Sequence, residues 1–525
     1  MIVSKHSTAS ASSIPTENKR LARLFPGEEQ RATSGKQGMP VLLTACCLLL
    51  ATQAAQAATI TAASCSQTDV RTAFNSASSG DTVAVPAGSC TWTTPAANTP
   101  SVVLNKAITL QGQTVCTGRA ASLACRDSTI IYDGTGTGFM EIPLEISASG
   151  ARLTGFTFLD TRSVTDSKSA VQTDVGTTGW RIDHNHFHPT NTNNTRAIST
   201  SGYGLLDHNL IQDSLDGVDV EGAQSGDATY PGDASWSQPM GFGTANAIYI
   251  EDNNFTYTSP LDGAFDSYAG ARLVFRYNYV SGTNIGGHGL DSGGLRSTLW
   301  ADINNNTFVN PNTAIYTMGN TRGGSWLVWN NTVSATGGSY NAFWWVQNYR
   351  SDPSCASSGE CGSWGTCDGT NAIDKNTSGQ QGWACMDQVG RGTLQGSYPQ
   401  YAWGNIFKGS APTTAANFYV CGYQDCIRAR TYHIIENRDF FNEVASFSGA
   451  VGVGFGSLSS RPSTCTAGVA YFATDQSSHG VLYQCGSGNT WNVYYTPYAY
   501  PHPLQSQTLP SSGPVPPTGL ISSVR

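Results

Sequence analysis

Residues 303–308 read Ile-Asn-Asn-Asn-Thr-Phe and residues 328–333 read Val-Trp-Asn-Asn-Thr-Val, two copies of the pattern apolar-x-x-Asn-x-apolar. The pattern returns at Ile182–Phe187, Leu206–Ile211, Ile250–Phe255, Phe275–Val280 and Ala402–Phe407, centred on Asn185, Asn209, Asn253, Asn278 and Asn405. Along the chain, successive asparagines are 24, 44, 25, 28, 25 and 74 residues apart. Four of these six spacings match one coil of a parallel β-helix, and the two long ones call for insertions. Leu153–Phe158 reads as an earlier coil with Phe156 at the asparagine position. Hairpin sandwiches and propeller blades have other periods.

A strand sends alternate side chains to opposite faces. Each repeat therefore buries its apolar residues while the asparagine occupies a turn. Stacked turn asparagines can bond to the backbone and to their equivalents above and below, which satisfies polar groups that burial would strand. One repeat cannot cover its own apolar face, so stacking is obligatory.

Composition agrees. Only 12% of the 525 residues are charged and 57 are glycine, as expected where most positions face a core or a stacked turn. The net charge of −8 argues against a nucleic-acid-binding surface. The apolar run between Pro40 and Ala58, ending in Ala55-Gln56-Ala57, reads as a signal peptide cleaved near Ala57, and no later run approaches the ~20 apolar residues of a membrane-spanning helix. The expected location is secreted or cell-surface. Two of the 14 cysteines fall in that leader, leaving an even 12. Close spacings suggest bridges Cys65–Cys90, Cys116–Cys125, Cys421–Cys426 and Cys465–Cys485, with two more among Cys355, Cys361, Cys367 and Cys385. Disulfides are favoured there over zinc, given export and the lack of a Cys-x-x-Cys pair.

The asparagine repeats, with Asp69-Val70-Arg71-Thr72-Ala73-Phe74 and Gly80–Gly88 ahead of them, resemble the pectin-lyase-like right-handed parallel β-helix superfamily. The resemblance implies an all-β solenoid over about residues 58–440, an N-terminal cap of one short helix and a first strand, and disulfide-containing loop insertions. It separates a leader at 1–57 and a C-terminal cap and Pro/Ser-rich tail at 441–525. Since the superfamily includes lyases, hydrolases, tailspikes and non-catalytic surface proteins, it names no reaction. Gly287-His288-Gly289 is similar to a polygalacturonase motif. The chain lacks that family's adjacent Asp-Asp pair and its Arg-Ile-Lys, so the activity does not carry over.

Each asparagine strand is followed by a second alignable segment: Ala197-Ile198-Ser199, Gly217-Val218-Asp219, Ala264-Phe265-Asp266, Gly289-Leu290-Asp291, Ala314-Ile315-Tyr316 and Ala342-Phe343-Trp344. With the central apolar residue inward, Asp219, Asp266 and Asp291 form an outward row on rungs about 4.8 Å apart, continued by Tyr316 and Trp344. From Asp207 to Asp291 there are 12 acids and 2 bases. Like charges at this spacing need a compensator. Two chemistries use such a row. A carboxylate pair can hydrolyse a glycoside, adjacent rungs giving the short spacing of retention. Alternatively, the aspartates hold Ca²⁺, the candidate cofactor, against an acidic glycan while His288, Arg272 or Arg296 takes a proton. The expected catalytic residues are Asp219, Asp266, Asp291, His288 and Arg296. Arg272, Tyr268, Tyr316, Trp344 and Trp345 are the expected substrate contacts, the rings suiting sugar faces. The expected partner is a polysaccharide, bound and cleaved by a lyase or hydrolase. A non-catalytic adhesive β-helix is the alternative.

Overall fold

A computed structural model describes residues 57–94, 99–134, 143–159, 168–188, 195–222, 235–258, 263–289, 296–311, 317–335, 342–352, 354, 367, 385–409, 417–421 and 426–506. They form a parallel β-helix. One sheet stacks twelve strands from Thr59–Thr61 to Phe440–Asn442, and a second stacks ten, from Gly88–Trp92 to Ile406–Gly409. The third side is a six-stranded sheet from Val102–Leu104 to Gly263–Ser267. A four-stranded sheet that starts at Ile285–Gly287 carries this side onward.

The asparagines hold the coils in register. The residue before each one takes a left-handed backbone, with φ near 55° at His184, His208, Asn305 and Asn330 and 65° at Gly404. This turns the asparagine side chain inward, where it bridges two coils. Asn278 Oδ1 accepts from the backbone N–H of Asn253 at 2.9 Å and from its Nδ2 at 3.1 Å. Asn278 Nδ2 donates to Ile250 O at 2.9 Å and to Asn306 Oδ1 at 3.2 Å. The same arrangement repeats at Asn185, Asn209, Asn306 and Asn331. At the earlier coil Phe156 does occupy the asparagine position, its N–H donating to Asn185 Oδ1.

Inside, apolar columns run along the axis. In the first sheet Leu110, Leu153, Ile182, Leu206, Ile250, Phe275, Ile303 and Val328 are in register and fully buried. A helix at Gln67–Ser76, capped by Ser66, covers the N-terminal end with Val70, Ala73 and Phe74. Bridges Cys65–Cys90, Cys116–Cys125, Cys421–Cys426 and Cys465–Cys485 match the four expected pairs, and Cys367–Cys385 is one bridge within the cluster whose pairing the spacings leave open. Cys355, Cys361 and the leader lie outside the described residues.

The outer face of the first sheet carries buried ion pairs: Arg152 with Asp183, Arg181 with Asp207 and Arg276 with Glu251. Past residue 440 the chain forms a four-stranded sheet, Val453–Gly456 to Thr490–Tyr495, packed by Val453, Phe472 and Leu482 against Leu327, Trp329, Tyr401 and Trp403. Residues 498–505 then run back across the ion pairs. Arg276 donates to the carbonyls of Tyr498 and Ala499 at 2.7 and 2.6 Å, and Arg181 to that of Leu504 at 3.0 Å. Tyr500 stacks on Tyr277 and donates to Asp252.

One register expectation is corrected. The second strands of the later coils are Ile285–Gly287, Thr317–Thr321 and Ala342–Val346, with Ile285, Gly319 and Trp344 in one column. Trp344 therefore points inward, into the core. The reason is Gly319, where a Cβ would lie 2.2 Å from the Trp344 ring, so the missing side chain makes the space that the indole fills. Asp291 and Tyr316 lie outside the described residues.

Asn278→Ala strands the Asn253 N–H and the Ile250 carbonyl in the interior. It should lower the unfolding free energy by about 2–4 kcal/mol, read by urea denaturation. A loss within experimental error would show that the ladder is not what holds the coils.

Candidate functional site

The outward face of the third side carries one row across successive rungs, Glu145, Gln172, Ser199, Asp219 and Asp266. Beyond it the row passes through Gly286, Asn320, Trp345 and Tyr419. Gly286 leaves room for the amide of Asn320. Asp219 and Asp266 face out as adjacent neighbours, as the repeat alignment expects.

Backbone bonds bring further groups to these two carboxylates. His288 follows the strand Ile285–Gly287, and its N–H donates to Ser267 O at 2.8 Å, which sets the ring beside Asp266. Gly287 is required there, because a Cβ would meet the Trp326 ring at 2.6 Å. Tyr268 leaves the end of strand Gly263–Ser267 with its N–H bonded to Val220 O. Glu221 is held by Thr200 O. Arg196 comes from the preceding coil, and Arg322 from a later one.

His288 Nδ1 lies 2.9 Å from Asp266 Oδ2, close to it but not aligned as a hydrogen bond. Both are open to solvent, at 29% and 17% of their side-chain surface. Asp219 is different, being 1% exposed. Its Oδ2 is 3.1 Å from the Tyr268 hydroxyl and 3.5 Å from Arg196 Nη1, and that hydroxyl is 2.9 Å from Glu221 Oε1. Arg196 Nε donates to Asp216 at 3.0 Å. Arg322 stacks over Tyr349 at 4.4 Å.

The two aspartates titrate apart. Burial pushes the Asp219 carboxyl up to about 7, opposed by Arg196 and reinforced by Glu221 and Asp266. Burial also acts on Asp266, but His288, with Arg322 and Arg196, more than reverses it and holds the group below the usual carboxylate range. Burial, then Asp219 and Glu221, raise the Tyr268 phenol far above its ordinary value. Two interacting carboxyls driven apart are a recognised mark of an acid–base site.

Three other expected contacts are corrected. Arg296 is fully buried, in a double ion pair with Asp387 and against the Trp236 ring. Arg272 lies in the first sheet, bonded to Tyr203 and to the carbonyls of Ser235 and Pro239. Trp344 is core, whereas Trp345 is half-buried on the outer row. Proximity in sequence misled for both arginines, because neighbours within one coil diverge to different sides. The residues missed are Arg196, Glu221, Arg322 and Tyr349. Arg196 was within reach of the alignment, two positions before Ile198 and one coil ahead of Asp219.

Of the three aspartates expected to hold Ca²⁺, Asp219 lies beside Arg196 and Asp266 beside His288, and Asp291 lies outside the described residues.

These features define a parallel β-helix protein with a group of interacting ionisable side chains on its third side. No family model and no curated protein matches the sequence. Among solved structures, it has some likeness to an alginate lyase from Paenibacillus sp. strain FPU-7, with 13% identity and a TM-score of 0.26 over 55% of this chain and 96% of that one. The catalytic domain of a GH87 α-1,3-glucanase in complex with nigerose gives 12% and 0.28 over 70% and 68%. Tailspike protein 3 of bacteriophage CBA120 gives 11% and 0.22 over 81% and 66%. Similarity this distant carries no reaction across. The fold rests on the strand pairing described above.

The Asp219 carboxyl, raised from 3.8 to about 7 by folding, makes the folded chain bind more protons between those values. Its contribution to stability is greatest below pH 4 and falls as pH rises towards 7, by on the order of 4 kcal/mol at most. Asp219→Asn should flatten this decline in denaturation experiments across pH 4–7. An unchanged slope would mean that Asp219 ionises normally.

Proposed function

We infer that the protein is an exported polysaccharide-cleaving β-helix, acting by β-elimination on an acidic glycan. The observation that carries this reading is the exposed His288–Asp266 pair facing Tyr268, with ring centroids 6.1 Å apart. Asp266 lies against one ring nitrogen of His288, and the other is assigned to accept the proton. In elimination the base removes the proton on the carbon next to the uronate carboxyl, and the bond to the glycosidic oxygen breaks. An acid then protonates that oxygen, the role assigned to Tyr268. Arg196 and Arg322 supply positive charge beside the reacting groups and favour a uronate over a neutral sugar. The outward row offers an extended chain Glu145, Gln172, Ser199 and Asp266 on one sheet and Asn320 with the rings of Trp345 and Tyr419 on the next. The five disulfides among the described residues favour export.

Hydrolysis by an Asp219–Asp266 pair is the second reading, favoured by their separated titration. Against it stands the burial of Asp219, which keeps that carboxyl from flanking a bond.

Incubated with uronate-containing glycans, the purified mature chain should release products bearing a conjugated double bond, seen by ultraviolet absorption, and chelator should leave the rate unchanged. His288→Ala should lower kcat by about 10²–10⁴-fold. Reducing ends without unsaturation would select hydrolysis, and binding without any product would select the adhesive alternative.

A further inference from the structure

The Tyr268 hydroxyl stands between two carboxylate oxygens, 3.1 Å from Asp219 Oδ2 and 2.9 Å from Glu221 Oε1. A phenol has a single hydrogen. It can donate to one of these oxygens, and the other contact then sets its lone pairs against a carboxylate. Two good hydrogen bonds along this line need two protons, so one carboxyl must carry the second. Asp219 is the better holder. It is 1% exposed, and its other oxygen, Oδ1, is buried without a hydrogen-bond partner among the described residues. Glu221 is half-buried at the edge of the cleft, where water reaches it. The hydrogen bonds then run one way, from the Asp219 acid to the Tyr268 oxygen and from the Tyr268 hydroxyl to the Glu221 carboxylate.

We propose that Asp219, Tyr268 and Glu221 form a proton relay, in which Asp219 is a buried store, Tyr268 delivers to the leaving oxygen of the glycan and Glu221 admits protons from water. This rests on the elimination reading given above. As the bond between ring carbon and glycosidic oxygen breaks, that oxygen takes the Tyr268 proton. The phenolate takes the proton of Asp219, and the Asp219 carboxylate is left facing Arg196 Nη1 at 3.5 Å. His288 has meanwhile gained the proton from carbon. After product leaves, His288 releases that proton to water, and one returns through Glu221 and Tyr268 to Asp219, which restores the starting state. Tyr268 is the catalytic residue, whereas Asp219 and Glu221 act through it.

The charged and titratable groups facing Asp219 come from four coils: Arg196, Asp216, Glu221, Asp266 with its partner His288, and Tyr268 itself. Arg196 favours the anion, while burial and the neighbouring acids favour the protonated form. Among the described residues, the phenol contacts both Asp219 and Glu221 and so links them. Cutting it isolates the store without removing any charge.

Two variants and one spectroscopic readout test the relay. Tyr268→Phe keeps the ring and breaks the link, and kcat should fall at least about 100-fold. Glu221→Gln keeps an acceptor for the phenol but cannot exchange protons. Its kcat should fall, show a larger solvent deuterium effect and be partly restored by small buffer acids. The infrared carbonyl band of a protonated carboxylic acid should be present in the wild-type chain near pH 6, absent in Asp219→Asn and shifted in its pH midpoint in Tyr268→Phe. A missing band in the wild-type chain overturns the relay, as does a Glu221→Gln enzyme with unaltered kcat and no response to buffer. Should no uronate glycan be cleaved although the band is present and moves in Tyr268→Phe, the elimination reading fails while the shared proton stands.

Discussion

The whole architecture hangs on one small geometric event, repeated seven times: a residue in left-handed conformation followed by an asparagine whose amide points into the interior. Each amide satisfies an N–H and a carbonyl of the preceding coil at once, which no apolar side chain can do. With turn polarity settled inside the stack, the strands on either side have no register freedom, since a slip of one residue would break the ladder and turn the apolar columns outward. The third side inherits its precision from this. Asp219 and Asp266 are neighbours because Asn209 and Asn253 are neighbours, even though 44 residues separate these asparagines.

Most of the fold could be read from the sequence for that reason. Asparagine in a turn and large aliphatic residues in the strands are local signals that repeat, and the N-terminal helix and the described disulfides follow from equally local cues. The first three aligned second strands were legible for the same reason, and so were Asp219, Asp266, His288 and Tyr268. Reading failed where shape replaced pattern. Trp344 matches an outward position by spacing, but the hole opposite it is set by Gly319, one coil away, and a search for apolar alternation does not see a missing side chain. Arg272 and Arg296 failed for a different reason. In a solenoid, a few residues along the chain can mean another side of the coil, whereas a whole coil along the chain means the next rung. Arg196 illustrates the second case, being 23 residues from Asp219 in sequence and 3.5 Å from it in space.

The local excess of acid divides once the coils are closed. Asp207 and Glu251 belong to the first sheet and are neutralised there by Arg181 and Arg276, while Asp216, Asp219, Glu221 and Asp266 meet on the third side. The two groups are handled differently. On the first sheet Asp183, Asp207 and Glu251 each have a close guanidinium, the usual condition for burying charge, while Asp302 is held by Tyr495, Trp329 and Asn304. On the third side four carboxyls share Arg196, Arg322 and His288, and burial leaves Asp219 with a proton near neutrality.

The closing segment, residues 498–505, bears on the order in which the molecule can be made. Coils can stack as they are synthesised, each on the one before. Among the described residues, however, the guanidinium groups of Arg181 and Arg276 find their carbonyl partners on residues 498–505, some 222 to 324 residues later. Until those last residues arrive, the outer face of the first sheet is wet and its ion pairs are open to competing water. A chain crossing a membrane from its N-terminus would thus remain incomplete along one side through almost the whole of its passage, and would become fully closed only when its end emerged.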